Sequence, residues 1–97
     1  MMFLEVSVRY LYPIREVTGK SEEKIEVDEG TSVEGLLILL SEKYGAAFER
    51  YVNSGVKQRG IPIILLLDEK NIQLLEGLKT KLTNGSELAI IPPIAGG

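Results

Sequence analysis

The chain has 97 residues, 44% of them hydrophobic and 26% charged, with a formal net charge of −3, which fits one domain with a single core. It contains no cysteine and no histidine, so disulfides, thiolate–imidazole pairs and the usual zinc sites are excluded. No cluster of Lys and Arg breaks the acidic background, which argues against nucleic acid as a partner.

Phe3 to Tyr12 is rich in β-branched and aromatic residues. Val6, Val8 and Tyr10 fall on one side and Glu5, Ser7 and Arg9 on the other, the alternation of a strand. The segment Met1–Glu5 has no basic flank or long apolar stretch and does not read as a signal peptide. The longest apolar run, Ile61 to Leu67, is interrupted by Pro62 and far too short to span a membrane. A cytoplasmic protein with no membrane partner is therefore expected.

Pro13 opens a link, Ile14 to Ser21, after which Lys24 to Asp28 alternates again through Ile25 and Val27, predicting a hairpin with a long loop. Asp28-Glu29-Gly30 is a turn. Thr31 stands three residues before Glu34, the spacing of a capping box. Val33, Leu36, Leu37, Leu40 and Tyr44 then follow helical spacing, and Gly45 is placed to stop the helix. Ile38 and Leu39 widen the apolar stripe and predict a helix buried across the sheet.

A short second helix is expected over Ala46 to Val52, then a loop from Asn53 to Gly60. Ile61 to Leu67 reads as a strand closed by the turn Asp68-Glu69-Lys70-Asn71, with Ile72 opening a short return strand. Leu75 to Leu78 reads as a turn or a 3₁₀ segment. Asn84-Gly85 is a strong turn signal, and Glu87 to Ile91 is the final strand. One long helix on one face of a mixed sheet gives a two-layer α+β fold. The helix supplies the crossover that makes the first and last strands parallel neighbours at the centre.

Motifs of catalysis are weak. Thr18-Gly19-Lys20-Ser21 contains the Gly-Lys-Ser of a phosphate loop, but Ile14 occupies the position of the required earlier glycine and the segment leads into a strand, not a helix. Ser21 and Lys24 have the spacing of a Ser-x-x-Lys pair, yet that pair needs a helix to share a face. Adjacent carboxylates Glu22-Glu23 and Asp68-Glu69 point to opposite faces of a strand and read as solvated turns. Nothing inside the domain reads as an active site, so the chain reads as a protein that is acted upon.

The final strand runs directly into Pro92-Pro93, neither of which can donate to a sheet ladder. Ile94-Ala95-Gly96-Gly97 follows, and in extended form four residues reach roughly 13 Å. Without Cβ atoms, Gly96 and Gly97 pass a channel too narrow for other residues. The division is thus a domain over 1–91 and a flexible tail over 92–97 whose terminal carboxylate is the reactive group. A frayed end is the bland alternative.

The element order and the run Ile91-Pro92-Pro93-Ile94-Ala95-Gly96-Gly97 resemble the β-grasp sulfur carriers, above all the small subunit of molybdopterin synthase. Val8-Arg9-Tyr10 with Ile14 to Lys20 is similar to that family's first strand and loop, and Asn84 to Leu88 stands at its turn before the last strand. Ile91 departs from the family's frequent phenylalanine, and Leu66-Leu67 from its commoner Val-Asn turn. The resemblance implies a ubiquitin-like β-grasp fold with one main helix on a mixed sheet.

It also implies a chemistry. An adenylating E1-like enzyme, using ATP and Mg²⁺, would activate the Gly97 carboxylate, and a sulfur donor would displace AMP to leave a thiocarboxylate. The large subunit of molybdopterin synthase would take the tail into its pocket and pass the sulfur to a pterin precursor. The chain itself would bind no cofactor or metal and would serve as a sulfur-donor subunit, not an enzyme on its own. Gly97 is the group transferred to and from; Gly96 gives backbone access, and Pro92, Pro93, Ile94 and Ala95 keep the tail extended. Leu11 and Ile91 match apolar partner-contact positions, with Arg15 a polar one. Two other classes share these features: a ubiquitin-like modifier joined to lysines through Gly97, and a β-grasp interaction module.

Overall fold

The alternation at the start of the chain forms strand β1, Phe3–Tyr10, whose Val6, Val8 and Tyr10 are buried. The computed structural model describes residues 2–57 and 63–92, with 53–57 as backbone alone. After β1 come helix α1 (Ile14–Thr18), β2 (Glu22–Asp28), α2 (Val33–Tyr44), α3 (Ala46–Lys57), β3 (Ile64–Leu67), β4 (Lys70–Asn71) and β5 (Glu87–Ile91). The strands form one sheet in the order β2-β1-β5-β3-β4. β1 and β5 are parallel, from Ser7–Glu87 to Tyr10–Ile90, and the other pairings are antiparallel. The fold is α+β, a mixed sheet with its helices packed on one face, as expected from the sequence.

The core lies between that face and the helices. Val6, Val8, Leu88 and Ile90 from the central strands meet Leu36 and Leu40 of α2 and Phe48 of α3, all nearly or fully buried. Burial of each such side chain contributes about 2 kcal/mol of transfer free energy.

Several local expectations need correction. Ile38 and Leu39 do not extend the buried stripe of α2: they are 55% and 43% exposed, while Val33, Leu36, Leu37 and Leu40 face inward. A helix lying on a single sheet can bury one side only, and among the described residues no third layer covers the other. The cap of α2 is Ser32, not Thr31. The Ser32 hydroxyl accepts the Gly35 N–H at 3.2 Å, while the Thr31 hydroxyl donates to the Asp28 carbonyl at 2.7 Å. Thr31 is thus consumed by the preceding turn, and the helix starts one residue later. Ser32→Ala should cost about 1 kcal/mol in urea unfolding, whereas Glu34→Ala, which removes the acceptor a capping box would need, should stay within about 0.5 kcal/mol.

The link after Pro13 is helical, with Ile14 buried beneath it and Gly19 closing it at φ 78°. The second helix runs to Lys57, past the Val52 expected, so the loop expected over Asn53–Gly60 is helical in its first half. Residues 58–62 lie outside the described residues, including the start of the expected strand Ile61–Leu67. The return strand is Lys70–Asn71, and Ile72 begins a 3₁₀ turn instead, because the Asn71 side chain caps it by accepting the Gln73 N–H at 2.9 Å. A second 3₁₀ turn covers Gly77–Lys79. The Asn84-Gly85 turn and the strand Glu87–Ile91 fall where the sequence puts them.

Candidate functional site

Alternation in the central strands gives the sheet a second face, opposite the helices. In β5, Leu88 and Ile90 point into the core while Glu87, Ala89 and Ile91 lie on the open side, half-buried. Ala89 is flanked by Arg9 of β1 and Leu66 of β3, and Ile91 is paired with Ile64, which is 43% exposed. Leu11 follows one residue after the last β1–β5 pair, Tyr10–Ile90. The structure brings Leu11 and Ile91 into one shallow groove of about 340 Å³, whose floor also includes Leu66 and Ala89. Glu69, Arg9 and Glu87 line the same groove.

The groove sits where β5 ends. Pro92 follows Ile91 outside the sheet and is buried. Pro93, Ile94, Ala95, Gly96 and Gly97 lie outside the described residues. Arg9 and Glu87 form a loose ion pair at 3.8 Å, with side chains 56% and 36% exposed. Such a pair contributes little to stability.

Arg15 is not part of this groove. Its side chain lines a separate polar hollow of about 560 Å³ on α1, with Glu16, Gly19, Lys20 and Ser21. The backbone joins the two places through the Arg15 N–H, which donates to the Leu11 carbonyl at 3.0 Å. The Gly-Lys-Ser segment leads into β2, so the loop offers no helix N-terminus to a phosphate.

Sequence reasoning missed one polar cluster. Glu23, read as a solvated turn residue, has a side chain only 8% exposed. Its carboxylate accepts hydrogen bonds from the hydroxyls of Tyr10 and Tyr44 and from Lys43 at 2.7 Å and Lys20 at 3.4 Å. Tyr10, Tyr44 and Phe48 surround it with ring centroids 5.8–6.3 Å apart. Burial alone would raise the Glu23 carboxyl, but the hydrogen bonds from Lys43, Tyr10 and Tyr44 outweigh it and bring the group down to about 2. Burial first, and then the bond to Glu23, push the Tyr10 phenol up. The bond to Glu23 likewise raises Lys43. The cluster ties the C-terminal end of α2 to the start of β2. A signal was present: Glu23 has the same strand parity as Ile25 and Val27, the inward positions.

No group of His, Cys, Asp and Glu among the described residues could hold a metal ion. No described helix is long and apolar enough to cross a membrane.

A model of the ThiS family matches residues 8–97. The chain belongs to the ThiS family. This ThiS-family chain is 27% identical to small archaeal modifier protein 3 of Haloferax volcanii over 94 residues, which cover 97% of the chain and all of that protein. It is 31% identical to a putative sulfur carrier protein of Archaeoglobus fulgidus over 74 residues, 75% of the chain and 83% of the relative. The solution structure of small archaeal modifier protein 1 from Methanosarcina acetivorans superposes with a TM-score of 0.77 at 30% identity, covering all of both chains. The protein is thus a small β-grasp member of the group of sulfur carriers and ubiquitin-like modifiers.

Proposed function

We propose that this ThiS-family chain is a sulfur carrier whose Gly97 carboxylate is the working group. The observation that carries the reading is the position of β5. The strand is held on both sides, by β1 and β3, and ends beside an apolar groove. A tail leaving from there starts from the most firmly paired part of the sheet, with a docking surface next to its root.

The chemistry needs partner enzymes. A carboxylate is a poor acyl donor, so an adenylating enzyme with ATP and Mg²⁺ joins the Gly97 carboxylate oxygen to AMP and releases pyrophosphate. Hydrosulfide from a sulfur donor then attacks the carbonyl carbon, the bond to the AMP oxygen breaks, and a thiocarboxylate remains. In the finer form of the proposal the recipient is a pterin precursor in the large subunit of molybdopterin synthase. Pro92 to Ala95 keep the tail extended, Gly96 lets the backbone through, and Leu11 and Ile91 meet the partner. Arg15 is an auxiliary polar contact on a separate surface.

A second reading is favoured by the similarity to modifier protein 3 along its whole length. Here the activated Gly97 carbonyl is attacked by a lysine amine, AMP leaves, and an isopeptide bond forms. One experiment separates the two. The purified, untagged chain is incubated with an adenylating enzyme, ATP and sulfide, and its intact mass is measured. Exchange of one oxygen for sulfur shows that Gly97 is activated, and supports the carrier where no conjugate forms. Higher-mass conjugates in cell extract that vanish on deleting Gly97 support the modifier. Failure of both, across several adenylating enzymes, leaves only an interaction module.

The groove makes its own prediction. Leu11→Ser should weaken binding of the adenylating enzyme by about 10-fold, since apolar groove contacts of this size are worth 1–2 kcal/mol. Leu11 lies outside the buried core, so the melting temperature should move by no more than about 3 °C. Surface plasmon resonance and calorimetry on the same sample check both.

A further inference from the structure

The hairpin at the side of the groove holds a residue whose backbone conformation disfavours it. Asp68 and Glu69 form the two-residue turn between β3 and β4, with φ of 50° and 70°. They are the non-glycine residues with positive φ among the described residues. A turn with both residues left-handed suits the twist of paired strands, and it favours Asn or Asp followed by Gly.

Asp68 has a reason to be there. Its N–H donates to the Glu87 carbonyl and its Oδ1 accepts the Glu87 N–H, both at 2.9 Å, which fastens the hairpin to β5. Glu69 has none within the fold. It is exposed and makes no hydrogen bond or ion pair among the described residues. Glycine would take the same conformation without steric cost. Yet the Glu69 side chain lines the groove with Leu11, Leu66 and Ile91. The groove's other carboxylate, Glu87, already faces Arg9. Glu69 is therefore the unmatched charge beside an apolar floor.

We propose that Glu69 is the recognition carboxylate of this groove, retained against its backbone preference. The occupant is a segment of a partner protein that sets an apolar side chain on Leu11, Leu66 and Ile91 and a cationic side chain, arginine above all, against Glu69. The inference rests on the reading that the Leu11–Ile91 face meets the partner, and adds the partner's chemistry. A carboxylate receives a guanidinium through two parallel N–H bonds, which fixes orientation as well as attraction. A partner with a neutral group there leaves the carboxylate desolvated and unpaired, which gives discrimination.

The test uses the full chain, labelled with ¹⁵N and titrated with acetyl-leucyl-arginine amide and with its neutral analogue acetyl-leucyl-citrulline amide. The amides of Leu66, Glu69 and Ile91 should respond to the arginine peptide with about 3–10-fold higher affinity than to the citrulline peptide. Glu69→Gln should erase that difference and leave the melting temperature unchanged. Glu69→Gly should erase it too and raise the melting temperature by about 2–6 °C, through release of the left-handed strain. Any one of four results overturns the proposal: equal responses to the two peptides, a preference that survives Glu69→Gln, a lower melting temperature for Glu69→Gly, or a dimer through this face in sedimentation at the titration concentration. No readout requires an activated Gly97, so failure of sulfur transfer leaves this test standing, and failure here leaves the transfer chemistry as proposed.

Discussion

A single residue added after Gly97 is expected to reduce sulfur transfer by about 100-fold or more while leaving the melting temperature where it was. The size of the effect follows from what is removed. The addition moves the carboxylate one residue along the chain, and a reacting atom misplaced by even about 1 Å can cost 100-fold. The unchanged stability follows from the core, which consists of Val6, Val8, Leu36, Leu40, Leu88, Ile90 and their neighbours, with Pro92 the buried residue after β5 among the described residues. Gly96→Val should behave alike, because a branched side chain blocks a narrow entry without touching that core. Intact mass after incubation with adenylating enzyme, ATP and sulfide reads the first quantity, and calorimetry the second. Normal thiocarboxylate yield from the extended chain would remove Gly97 from the mechanism, and normal yield from Gly96→Val would remove the narrow entry.

Replacing Glu23 by Gln should cost about 3 kcal/mol at neutral pH, the largest loss expected from any single polar change in the domain. The amide removes the negative charge that Lys43 and Lys20 share, and it cannot accept as strongly from both phenols. Tyr10 is 1% exposed, so water does not make up for the weakened bond from its phenol. The same bonds fix the pH dependence. Folding lowers the Glu23 carboxyl from an ordinary 4.5 to about 2, so its contribution is complete above about pH 5 and fades as the pH falls through 2. The wild type should therefore lose about 3 kcal/mol across that interval that Glu23→Gln does not lose. Urea unfolding at a series of pH values measures the difference between the two curves. Parallel curves would mean that the carboxylate is equally well solvated in the unfolded chain.

How much of this was legible in the sequence follows from which signals are local. Strand alternation through Val6, Val8 and Tyr10, the Asn84-Gly85 turn and the stop at Gly45 are short-range, and each lies where expected. The parallel pairing of β1 with β5 was also legible, because one crossover helix leaves few other topologies. Ile38 and Leu39 were misread because hydrophobicity alone does not show which side of a helix has a layer to meet. Thr31 and Ser32 are both good caps, and the choice between them was decided by a turn hydrogen bond to Asp28. Glu23 was missed because its partners Tyr10 and Tyr44 come from two other elements. The groove was half visible: Leu11 and Ile91 were named from the resemblance, whereas Leu66 and Glu69 join them only through the β3–β5 register. Arg15 was grouped with them by resemblance and lies elsewhere.

The order of the strands has a consequence for synthesis in the cell. β1 emerges from the ribosome early, but its parallel neighbour is the last strand described, so until then the sheet is two separate hairpins with a gap between them. Pairing across so long a stretch of chain is slow and comes late. The strand that fills the gap is also the one that leads into the glycines. An activating enzyme that grips the sheet face would therefore meet only finished molecules, and incomplete chains would lack both the grip and the end to be charged.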